Sequence, residues 1–83
     1  MSFFTYILQC ADQTLYVGCT NNLEERLHKH NHLKSGAHYT KIRRPVILKY
    51  FEKFDTLSEA RKREVAIKKF NKKKKLELID GRL

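Results

Sequence analysis

No stretch of this 83-residue chain approaches the roughly 18 to 20 consecutive apolar residues needed to cross a bilayer. A membrane-spanning helix is therefore not expected. The first 25 residues contain no Lys or Arg, so no charged segment precedes the apolar stretch as it would in a secretory signal. Cysteine is scarce, with only Cys10 and Cys19. Neither sits in a CxxC spacing, which argues against a thiolate zinc site. The hairpin described below places them several strand positions apart, too far for the ~7 Å limit of a disulfide. Both read as reduced thiols of a cytoplasmic protein. Repeats, low-complexity linkers and internal boundaries are also missing, so residues 1–83 read as one domain.

Acidic residues are the other shortage. Nine Asp and Glu face eighteen Lys and Arg, a net charge of +9. A hydrophobic share of 41 % is ordinary for a globular domain and excludes a disordered basic tail. The basic excess is local. Residues 61–75 hold nine of the eighteen cations and a single acid, Glu64. Such a cluster attracts a polyanion, such as nucleic acid or an anionic membrane surface, or serves only as a solvated helix face.

The pattern along the chain alternates strand and helix signals. FFTYILQC (3–10) and TLYVGCT (14–20) are rich in aromatic and β-branched residues, and a three-residue turn, Ala11-Asp12-Gln13, separates them. This hairpin sets Cys10 against Thr14 and Tyr6 against Gly18, so Tyr6, Leu8, Tyr16 and Gly18 share a face. Gly18 then leaves a gap beside the two tyrosines. Asn22 and Glu25 resemble a capping box that opens a helix running to about Leu33, with an apolar arc of Leu23, Leu27 and Leu33. Arg26 and His30 fall on or beside that arc. Residues 36–44 form a polar loop with room for a short helical turn, and 46–54 a third strand. Thr56 and Glu59 cap a second helix with an arc of Leu57, Ala60 and Ile67, on which Glu64 also lies. After Asn71 a short helix carries Leu76, Leu78 and Ile79. The expected fold is α/β (α+β), in the order β-β-α-β-α-α, with a three-stranded sheet.

Polar residues on faces that belong to the core are the informative ones, because a small domain has little core to spare. The hairpin supplies Tyr6 and Tyr16, the first helix Arg26 and His30, the second helix Glu64. Each has a bland role open to it: buried tyrosine, snorkelling arginine, surface histidine, and a Glu64 ion pair with Lys68 or Arg61. Together they suit phosphodiester hydrolysis. A tyrosine whose pKa is lowered by a cation would activate water, Arg26 would hold the phosphate, and Glu64 would hold a hard divalent ion. Pairing of Glu64 with Lys68 in solvent would remove the metal ligand from that scheme. His28 and His32 have zinc-like spacing but no third ligand at a suggestive distance.

Phe4-Thr5-Tyr6 and Tyr16-Val17-Gly18 resemble the two halves of the GIY-YIG nuclease signature, with Phe replacing the first Gly. Arg26 in LEERLHKHN, His30 four residues later and Glu64 in SEARKREVAIKKF are similar to that superfamily's catalytic arginine, following histidine and metal-binding glutamate. GAHYTKIRRPVILKYFEKF resembles its small bacterial single-domain (YhbQ-like) branch. The resemblance, over about residues 3–79, implies a three-stranded antiparallel sheet flanked by helices. It also implies a metal-dependent nuclease acting on DNA, structure-selective and linked to repair or recombination, with one Mg²⁺ or Mn²⁺ ion. By carry-over Tyr6 is favoured over Tyr16 as the base, Arg26 stabilises the transition state, His30 assists proton transfer or phosphate contact, and Glu64 binds the metal. His38 is a further loop candidate. Arg43 and Arg44, with Lys68, Lys69, Lys72 and Lys73, would contact phosphates. The expected assembly is a monomer or weak dimer. Two alternatives stand beside the enzyme: a non-catalytic nucleic-acid-binding module on the same scaffold, and an interaction domain for a repair-protein partner. The turn departs from the Asp-Gly of relatives, since a left-handed Gln13 would cost on the order of 1 kcal/mol.

Overall fold

The hairpin forms in the register that its turn length sets. In the computed structural model, which describes residues 1–32 and 38–82, strand β1 (Phe3–Gln9) pairs antiparallel with β2 (Leu15–Thr20), and Tyr6 stands opposite Gly18. Gln13 takes the left-handed conformation, φ 71°. Its cost is met locally: the Asp12 carboxylate accepts bonds from the Thr14 amide (3.1 Å) and hydroxyl (2.6 Å). Cys10 and Cys19 are free thiols.

Helix α1 (Leu23–His32) follows, with Asn22 Oδ1 accepting from the Glu25 amide at 3.1 Å. A four-residue helix, α2 (His38–Lys41), fills the room left for a helical turn. The expectations for Leu33 and the start of the polar loop fall on residues 33–37, outside the described residues. Strand β3 (Ile47–Phe54) then pairs antiparallel with β1, giving the order β2-β1-β3. A bulge lies between Ile7 and Leu8, where Lys49 is the extra residue of β3. Helices α3 (Leu57–Lys68) and α4 (Lys72–Ile79) complete the chain, capped by Thr56 and Asn71.

The sheet separates two cores. On one face Tyr6, Leu8, Cys10 and Val46 pack with Tyr16, Leu23, Leu27 and Tyr39. On the other Ile7 and Val17 meet Ile67 of α3 and Leu78 of α4. Leu57 departs from its expected arc: it is 40 % exposed, because α3 touches the sheet through Ala60 and Ile67. Ala60 is fully buried, and its carbonyl accepts a 2.6 Å bond from the Thr5 hydroxyl, which seats the helix flush on β1. Arg63 forks onto Glu52 of β3, with Nε and a terminal nitrogen each 3.0 Å from a carboxylate oxygen. Glu64, one residue on and about 100° round the helix, is thereby turned away from β3.

Candidate active site

Tyr6 is almost fully buried, and its side chain leans across β2 above Gly18. Its hydroxyl is hydrogen-bonded to His30 Nε2 at 2.9 Å, and His30 Nδ1 lies 2.8 Å from the Thr40 hydroxyl. All three side chains are at most 2 % exposed. The Tyr16 ring packs edge-on to His30, with centroids 5.1 Å apart. Arg26, four residues before His30 on α1, lies beside the two phenols, and its interaction with Tyr6 and then Tyr16 raises its own pKa.

Burial and charge act in opposite directions on this cluster. Desolvation pushes the Tyr6 pKa up to about 12, and the Arg26 cation offsets only part of the rise. The tyrosine with a lowered pKa expected from sequence is thus not found at Tyr6. His30 is pushed down to about 4, first by burial and then by Arg26 and Arg44. Its imidazole is therefore neutral at physiological pH.

Glu64 comes from the opposite side of the sheet yet is close enough to raise both the Tyr6 phenol and the Cys19 thiol electrostatically. It also forms the Lys68 ion pair at 2.9 Å. That pair is not wholly in solvent: the Glu64 side chain is 20 % exposed and that of Lys68 is 53 % exposed. A cleft of about 190 Å³ opens beside Arg26 at the end of β2, walled by Cys19, Asn22 and Lys29 among others. A larger groove, about 660 Å³, lies on the outward face of α3 between Leu57 and Val65 and includes none of these residues.

The structure thus brings together Tyr6, Tyr16, Arg26 and His30, while Glu64 acts on the group through its charge and contacts Lys68. It disperses the remaining candidates. Arg44 donates to the Lys29 carbonyl (3.1 Å) and to the His30 carbonyl, closing the C-terminal end of α1. Arg43 ties the hairpin turn to α2. It stacks over Tyr39 at 3.9 Å and donates to the Tyr39 carbonyl. Its Nε is 3.0 Å from the Asp12 carboxylate, at an angle too bent for a hydrogen bond. Lys69, Lys72 and Lys73 are exposed on the α3–α4 side, across the sheet from Arg26. His38 opens α2, and its side chain lies outside the described residues. Thr40, which holds His30, was not anticipated: a four-residue helix has no periodicity to reveal a buried position.

Residues 2–77 match the family model of the GIY-YIG catalytic domain. The chain belongs to the GIY-YIG family. Its relatives include the UPF0213 protein of Syntrophus aciditrophicus, 54 % identical over 92 % of this chain and 87 % of the relative. A UPF0213 protein of Staphylococcus saprophyticus is 55 % identical over 92 % of each chain. Among solved structures, the chain is similar to the UPF0213 protein of Bacillus halodurans, with TM-score 0.61, 34 % identity and coverage of 96 % and 84 %. It is also similar to a protein of E. faecalis, with TM-score 0.67, 42 % identity and coverage of 98 % and 85 %. GIY-YIG domains are nuclease domains and generally use a divalent ion. The described residues contain no group of three or more His, Cys, Asp or Glu side chains suited to one ion. The Glu64 carboxylate, 20 % exposed, is a hard oxygen donor of the kind that suits a divalent ion keeping several of its waters, but in this structure it is paired with Lys68.

Proposed function

We infer that the protein is a metal-dependent endonuclease that hydrolyses DNA phosphodiester bonds, structure-selective and acting in repair or recombination. One observation carries the reading: the buried Tyr6 hydroxyl is hydrogen-bonded to His30 of α1, whose preceding turn places Arg26 in the wall of the cleft at the end of β2. Arg26 supplies fixed positive charge for a phosphate approaching over the cleft and for the charge of the transition state. With the phenol proton pointing to His30 Nε2, the neutral imidazole donates Nδ1–H to Thr40. Tyr6 takes the proton from water as its phenolate, a form that a pKa of about 12 keeps scarce at neutral pH, while neutral His30 holds its oxygen in place. Tyr16 orients the water or phosphate. Glu64 would hold one Mg²⁺ or Mn²⁺, which supplies Lewis-acid polarisation of the phosphate when bound. The protein works as a monomer or weak dimer.

The test is cleavage of branched, nicked and single-stranded substrates with Mg²⁺ or Mn²⁺. Arg26→Ala and Glu64→Ala should each remove activity while melting near wild type. A protein that cuts no substrate with any divalent ion refutes the reading.

The Glu64–Lys68 pair favours one second reading, a nucleic-acid-binding module without catalysis, in which Glu64 merely orders a basic helix. In that case Glu64→Ala leaves binding intact, and neutralising Lys72 to Lys75 weakens it and flattens its salt dependence.

A further inference from the structure

Phe4 and Phe51 form an edge-to-face pair with ring centroids 5.9 Å apart. Both project from the sheet face that carries Tyr6. Phe4 is two residues along β1, and Phe51 is the direct partner of Tyr6 on β3. Leu23 and Leu27 of α1 cover the core around Tyr6 and Leu8, but Phe51 remains 50 % exposed. Lys53 pairs with Phe4 and is exposed on the same face. The acid of this strand, Glu52, faces the other way and is held by Arg63. This part of the sheet face therefore carries two rings and an ammonium, with no carboxylate from β1 or β3.

The size and charge of the patch identify its occupant. A stable protein interface takes about 800 Å² per partner, far more than two partly covered rings. A nucleic acid meets both features, because bases stack on aromatic faces and phosphates pair with lysine. A base within a duplex has both faces covered by its neighbours, so only an unpaired or splayed base can use the ring. Tyr6 leans toward β2 while Phe51 stands on β3, which puts the ring and the Tyr6 hydroxyl roughly 10 Å apart, about two strand spacings. We propose that Phe51, braced by Phe4 and flanked by Lys53, stacks an unpaired nucleobase one or two nucleotides from the phosphate held at Arg26. This names the substrate class of the nuclease, nucleic acid with unpaired bases beside the cut. It rests on the proposed function for the phosphate position only.

The experiment measures binding in EDTA, where no cleavage occurs. Fluorescence anisotropy compares a single-stranded oligonucleotide with a blunt duplex, and 2-aminopurine in the single strand reports stacking. Phe51→Ala should bind the single strand about tenfold more weakly, leave duplex binding unchanged and lose the 2-aminopurine quench. Phe51→Trp should retain both, and near-native melting of the two variants confirms that they fold. Unchanged single-strand binding by Phe51→Ala, as a protein-docking face would give, overturns the proposal, as does an equal loss on the duplex. If the binding differences hold but wild type cuts nothing, the nuclease reading fails and the platform stands. If wild type cuts but Phe51→Ala binds normally, the platform alone fails.

Discussion

A Cβ at position 18 would stand 2.3 Å from the Tyr6 hydroxyl oxygen. Gly18 is thus the floor on which the phenol rests, and the bond to His30 depends on that floor being flat. Gly18→Ala must lift the buried tyrosine off its partner. The expected cost is about 1–3 kcal/mol in chemical denaturation, with cleavage reduced at least tenfold. Combining it with Tyr6→Phe removes the nearest clashing atom but leaves ring carbon Cζ at 2.5 Å, so only a small part of the stability should return.

His30 makes stability depend on pH. Its pKa is about 4 when folded and ~6.5 when unfolded. Between those values the unfolded chain binds more protons, so acid favours unfolding. The His30 contribution is complete above pH ~6.5 and is lost as the pH falls to about 4, at most ~3 kcal/mol. Melting curves across that window should show the loss, and His30→Gln should flatten it.

The same values set the pH dependence of cleavage. With Tyr6 near 12, a rate limited by proton transfer to Tyr6 rises steadily from pH 6 to pH 9 without a plateau. No inflection is expected near ~6.5, the ordinary value for histidine, because His30 stays neutral there. A profile that breaks at that pH would overturn the assignment of Tyr6 as the base.

Arg26→Lys keeps the charge but loses the planar guanidinium that can grip a phosphate with two donors. Single-turnover rates should fall about 10²- to 10³-fold, close to the Arg26→Ala loss. Binding of uncut substrate should change far less.

Arg44→Ala removes two charge-assisted bonds to the end of α1. The expected loss is about 2 kcal/mol, or on the order of 10 °C in melting temperature. Arg44→Lys should not restore it, because a single ammonium cannot span both carbonyls in the same geometry.

What could be read from the chain follows from the range of each interaction. Caps, turn and hairpin register are local, so the caps at Asn22 and Thr56 and the Tyr6–Gly18 pairing were legible. Arg26, His30 and Glu64 stood out as polar residues on apolar arcs, a contrast that periodicity exposes. Long-range polar bonds were not legible: nothing in the local sequence links Asn31 to Val46 or Glu52 to Arg63. The exposure of Leu57 was missed because helical spacing defines an arc, while the crossing of α3 over β1 at Thr5 decides which part of it is covered. The direction of the Tyr6 pKa was missed for a similar reason. The neighbouring cation was visible, but the depth of burial that outweighs it was not.

The Asn31 side chain treats Val46 as a strand would, donating to its carbonyl at 3.1 Å and accepting from its amide at 2.8 Å. Arg44, two residues earlier, holds the carbonyls of Lys29 and His30. Apolar contacts resist separation but allow sliding, whereas paired donors and acceptors fit in one alignment only. Helix α1 rests on few leucines, so these bonds act as its index marks. Displacing it by one residue would break them together and carry Arg26 and His30 about 1.5 Å along the helix axis, away from a tyrosine that has no freedom to follow.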